Sequence, residues 1–125
     1  MNAISQAMRG YAENAVSTRS DRRAEYEIIG KVTQQLRDRA IDRKSNFSAL
    51  AEALHINQKL WTALVVDIAD PKNPLPDDLK ARIIYLAEFT AHHTRRVLRE
   101  KASVLPLLEI NMAVLRGLKT EGVMK

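Results

Sequence analysis

The residues that could do chemistry in this 125-residue chain are few, and each has a structural use that competes with a functional one. Three histidines occur. His92 and His93 are adjacent, so on a helix they point about 100° apart and cannot share a metal ion through that spacing. His55 stands alone. Asp77 and Asp78 follow Pro76, where carboxylates facing the positive end of a new helix explain the pair better than acid–base catalysis does. No serine sits in a nucleophile-elbow pattern. The four glycines (Gly10, Gly30, Gly117, Gly122) are isolated and build no phosphate loop. There is no cysteine, hence no thiol or disulfide chemistry. No catalytic, cofactor or metal set emerges, and the chain reads as non-enzymatic.

Two polar residues stand out against their surroundings. Asn57 and Asn111 each fall on an otherwise apolar helical stripe, where an unpaired amide would cost about 1–3 kcal/mol. Each must find a partner. One reading is that they fix the register between helices, as buried asparagines do in coiled coils. The other is that one of them hydrogen-bonds the backbone of a bound segment. The net charge of +5 raises the question of nucleic acid. Arg95, Arg96, Arg99 and Lys101 could touch phosphates, as could Arg37, Arg39, Arg43 and Lys44. Nucleic-acid readers add interleaved aromatics or a recognition helix. Here Tyr11, Tyr26, Phe47, Trp61, Tyr85 and Phe89 mostly sit on apolar stripes, which favours a solvated basic face.

These residues are carried by helices. The strongest period runs over Phe47–Ala69, where Phe47, Leu50, Leu54, Asn57, Trp61, Leu64 and Ile68 recur at alternating spacings of three and four. Leu60, Val65 and Val66 widen that face, and Ser45 or Asn46 can cap it. Upstream, Ile4, Ala7, Met8, Tyr11, Ala12, Ala15 and Val16 trace a short amphipathic helix. A second helix starts at Ser20 or Asp21 with Tyr26, Ile29, Val32, Thr33, Leu36 and Ala40 inward, and it fades near Arg43. Asp70, Pro71 and Pro74 make a turn, and Asp67 is placed to cap or anchor it, a plain surface charge being the competing view. Pro76 opens a fourth helix whose inward stripe is Leu79, Ile83, Leu86, Thr90, His93 and Val97. Ser103 caps a last one, with Val104, Leu107, Asn111, Val114 and Leu118 inward and Gly117 or Gly122 as its stop.

The expected architecture is therefore all-α, a single-domain bundle of about five helices over residues 1–125, with its core at about 4–118. No charge-free run approaches the ~20 residues needed to span a bilayer, and the N-terminus has no secretory pattern. A cytoplasmic protein without membrane insertion is the expectation.

An ordered set of residues adds an identity to this outline. Asn57-Gln58-Lys59-Leu60-Trp61, then Asp67, then Asn73-Pro74-Leu75-Pro76, then Leu79-Lys80-Ala81-Arg82-Ile83 resembles FlaF, the flagellar biosynthesis regulator family of α-proteobacteria. Leu107-Leu108-Glu109-Ile110-Asn111 and Arg116-Gly117-Leu118 resemble its C-terminal pattern, and Tyr11, Arg23, Glu25 and Tyr26 match its N-terminal helices more loosely. Phe89 departs from the tryptophan that is common there.

The resemblance implies a non-enzymatic regulator that promotes flagellin synthesis or export, opposes the companion regulator FlbT, and binds flagellin as a chaperone would. A helix-in-groove mode suits such a protein. On that view the wide face of Phe47–Ala69, with the first helix and the 77–100 helix, receives a helical end of flagellin. Asn57, Leu60, Trp61, Leu64 and Val65 are candidate contacts, flanked by Tyr11 and Tyr26; simple core packing of Trp61 is the competing view. An alternative is a post-transcriptional regulator that touches flagellin messenger RNA through Arg95, Arg96, Arg99 and Lys101, directly or through FlbT. A homodimer that sheathes its own groove is a third reading, beside a monomer.

Overall fold

A computed structural model describes residues 18–120. It contains four α-helices and, among the described residues, no strand: α1 is Thr18–Ile41, α2 Phe47–Ala69, α3 Asp77–Glu100 and α4 Leu105–Thr120. The all-α expectation holds, with four helices where about five are expected. The helix expected over residues 4–16 lies outside the described residues.

Two apolar clusters give the chain direction of every helix. The first gathers Ile29 and Val32 of α1, Leu60, Trp61, Leu64 and Ile68 of α2, Ile83 of α3 and Val114 of α4, with Leu75 from the connecting turn. The second gathers Leu36, then Leu50, Ala53 and Leu54, then Val97, then Val104 and Leu107. Along α1 and α3 the chain passes from the first cluster to the second; along α2 and α4 it passes back. The bundle is thus up-down-up-down, as short connections between antiparallel neighbours require. Backbones meet around the ring α1–α2–α3–α4–α1, and the diagonal pairs stay apart.

Between the two clusters lies a buried polar layer to which every helix contributes. Thr33 of α1, Asn57 of α2, Thr90 and Thr94 of α3 and Asn111 of α4 are all buried. Each falls, in its own helix, between the positions that belong to the two clusters.

Local signals set the helix ends. The Asn46 side chain accepts from the Ala49 N–H at 3.1 Å, capping α2 where a short polar residue is favoured. After α2, Asn73 Nδ2 donates to Asp67 Oδ2 at 3.3 Å and its Oδ1 accepts from the Leu75 N–H. Asp67 therefore anchors the proline turn, and the turn delivers Leu75 into the core. Ser103 Oγ accepts from the Leu105 N–H at 3.1 Å at the start of α4. Two boundaries differ from expectation. Helix α1 already includes Thr18 and Arg19, and α4 runs through Gly117, the first of its two expected stops, to Thr120. An isolated glycine lowers helix propensity without ending a helix.

Helix α3 is capped just beyond its end by Lys101, whose φ of 58° lies in the left-handed region. The Ala102 N–H reaches back to Arg96 O at 3.4 Å, a six-to-one closure that usually places glycine at the left-handed position. A side chain costs about 1–2 kcal/mol in that conformation. Lys101→Gly should accordingly raise the unfolding free energy by roughly 0.5–1 kcal/mol, read by urea titration. A loss of stability would show that the lysine side chain contributes more than its backbone strain removes.

Candidate helix-binding furrow

The residues singled out on α2 are mostly inside the bundle. Asn57 and Leu60 are 0% exposed, Trp61 2% and Leu64 5%, while Val65 is half-buried. Tyr26 is half-buried against the cluster that holds Trp61, and Tyr11 lies outside the described residues. Most of the apolar surplus expected on α2 is thus taken up by its own neighbours, while Phe47 and Val66 stay exposed. In the closed bundle those four enclosed side chains offer a partner no surface.

Trp61 and the two asparagines instead tie the bundle across its centre. The Trp61 indole N–H donates to Asn111 Oδ1 at 2.8 Å. Asn111 Nδ2 donates to Asn57 Oδ1 at 2.8 Å and to Thr33 Oγ1 at 3.1 Å. The Thr33 hydroxyl donates to Ile29 O at 2.7 Å. One amide thereby joins α1, α2 and α4, while Asn57 Nδ2 is buried without a partner among the described residues. On the α3 side, the Thr94 hydroxyl lies 2.7 Å from Thr90 O and 3.3 Å from Gln58 Oε1.

Open apolar surface lies elsewhere, on both sides of α4. Between α3 and α4 a furrow begins at Leu79, Arg82, Ile83, Val114 and Gly117. It continues past Leu86 and Ala113, which belong to both halves, to Tyr85, Phe89, Pro106, Glu109 and Ile110. Tyr85 is 68% exposed although it is aromatic, and Phe89 38%. The Phe89 ring stacks on His93 at 5.7 Å between centroids. The His93 Nε2–H donates to Ser103 O at 2.7 Å, so the ring beneath Phe89 is fixed to the α3–α4 connection. A second groove lies between α1 and α4, lined by Gly30, Gln34, Arg37, Leu108 and Met112 among others.

Gly117 has no structural need to be glycine. A Cβ added there would meet no described atom within 4 Å. Glycine inside a helix costs about 0.8–1.0 kcal/mol relative to alanine. What the position does provide is a low point in the floor of an exposed apolar furrow. The surface is hard to see in the sequence, where Gly117 is one of two possible helix stops. The available signal was Tyr85 and Phe89, four residues apart and off the inward stripe of α3.

The basic side chains of α3 are exposed but partly engaged. Arg96 Nε pairs with Glu100 Oε2 at 3.0 Å, and Arg95 and Arg99 are exposed. Nearby, Arg43 Nη1 donates to Ala102 O at 3.0 Å, which holds the first inter-helix turn to the last. Among the described residues no group of three or more metal-ligating side chains comes together, and no helix is long and apolar enough to cross a membrane.

Comparison with known proteins adds one finding. No curated protein and no solved structure matches the chain. The model of the family described as flagellar protein FlaF matches residues 7–118, a span that takes in all the core positions and both walls of the furrow. By that match the chain is a flagellar protein and belongs to the FlaF family.

Proposed function

We propose that this protein promotes flagellin synthesis or export by holding unassembled flagellin, with one amphipathic flagellin helix seated in the α3–α4 furrow. The observation that carries the reading is the apolar run from Leu79 and Gly117 to Tyr85 and Phe89, open along the flank of the core cluster that Ile83 and Val114 belong to. A filament subunit carries amphipathic helices that have no partner before assembly, and an apolar helical groove is the physical complement of such a segment. The role is that of a cytoplasmic, non-enzymatic chaperone-like regulator. It needs no cofactor, and it leaves room for FlbT as a second partner.

Contact with flagellin messenger RNA through Arg95, Arg96, Arg99 and Lys101 draws less support, because Arg96 is already paired with Glu100. The experiment is size-exclusion chromatography of the purified chain mixed with monomeric flagellin at tens of micromolar. Co-elution of the two is the expected result. Separate elution, with salt-sensitive retention of the flagellin leader RNA instead, would transfer the function to the basic cluster.

A further inference from the structure

The furrow is not symmetric along its length. Two charged side chains line it, at opposite ends. Arg82 stands at the Leu79–Gly117 end and Glu109 at the Tyr85–Phe89 end. Both are exposed, and neither forms an ion pair with another described residue. An α-helix carries partial positive charge at its N-terminus and partial negative charge at its C-terminus. We infer that the furrow receives an amphipathic helix in one polarity, parallel to α4 and antiparallel to α3, with its N-terminal turn beside Glu109 and its C-terminal turn beside Arg82. This rests on reading the furrow as the seat of flagellin.

The same asymmetry describes the ligand. From Leu79 to Phe89 the wall on α3 extends about 15 Å at the rise of an α-helix, so the seat holds about three turns. Near Glu109 the exposed rings of Tyr85 and Phe89 accept large apolar side chains, with a lysine or arginine of the N-terminal turn at the rim. Near Arg82 the floor drops at Gly117, where a helix backbone can come close if it presents a small residue, with an aspartate or glutamate of its last turn at the rim. The segment selected is thus basic and bulky at its start, small and acidic at its end.

The chain has no cysteine, so Arg82→Cys and Glu109→Cys each give a unique attachment point. Each full-length variant, carrying a thiol-linked photocrosslinker, is mixed with purified flagellin, irradiated, and mapped by mass spectrometry. Both should label one flagellin helix, with the Glu109→Cys adduct on the N-terminal side of the Arg82→Cys adduct by roughly two to three turns. The charge swap Arg82→Glu with Glu109→Arg should weaken flagellin binding roughly tenfold, and each single change about threefold. Adducts in the reverse order, adducts joining two copies of this chain, or co-elution of flagellin without adducts at either position would overturn the polarity while leaving flagellin binding in place. Absence of co-elution in the unmodified protein would remove the functional reading, and the polarity with it.

Discussion

Asn111→Leu should destabilise the bundle by about 2–5 kcal/mol, although leucine differs little from asparagine in size and adds apolar surface. The reason is what the substitution leaves behind. Asn111 accepts from the Trp61 indole at 2.8 Å and donates to Asn57 Oδ1 at 2.8 Å, both in the buried centre of the molecule. Without it a buried N–H and a buried carbonyl oxygen lose their partners, at about 1–3 kcal/mol each. Thr33 keeps its own bond to Ile29 O, so its share of the loss is small. The contrast that isolates the mechanism is the triple change Asn111→Leu, Asn57→Leu, Trp61→Phe. It removes donors and acceptors together, and it should be more stable than Asn111→Leu alone, because replacing every partner avoids the orphaned groups. Urea titrations of the three proteins decide the matter. A single variant within ~0.5 kcal/mol of the parent would mean that this layer contributes nothing to stability.

Much of this bundle was legible in the chain because its signals are local. The α2 boundaries follow from the spacing of Phe47 through Ile68 and from Ser45 or Asn46 in front of them; the helix is found over Phe47–Ala69, with Asn46 as the cap of the two. The inward stripe of α3 is found too, with Ile83, Thr90, His93 and Val97 buried. What could not be read was the order of packing around the bundle. Trp61 and Asn111 lie 50 positions apart, and their hydrogen bond exists only because α2 and α4 face each other across the centre. The same fact decides where spare apolar surface ends up. A wide apolar face on α2 looks available until α1 and α3 close over it. The narrower face of α3 looks filled until its outer residues, Tyr85 and Phe89, are seen flanking a gap beside α4. Periodicity shows how much of a helix wants cover, and tertiary placement decides which part goes without.

That gap supplies the second large effect. Gly117→Leu should leave the fold at least as stable as the parent and lower flagellin affinity by at least about tenfold. The first half follows from the helix itself. Leucine is among the better helix formers, glycine costs about 0.8–1.0 kcal/mol against alanine, and the new Cβ meets no described atom within 4 Å. The second half follows from where the new side chain goes. With the backbone unchanged, an isobutyl group occupies the low point of the furrow between Leu86, Ala113 and Val114, where a docked helix makes its closest approach. A tenfold loss needs only about 1.4 kcal/mol, which is within the cost of overfilling a fitted apolar contact. Gly30→Leu is the matched control. It too sits in a helix with no described atom near its Cβ, and it lines the groove on the other side of α4. It should gain similar stability and bind flagellin as the parent does. Thermal melts confirm that both variants fold, and a titration against monomeric flagellin separates them. If Gly117→Leu binds normally and Gly30→Leu does not, the seat is the α1–α4 groove; if both bind normally, neither side of α4 holds the partner.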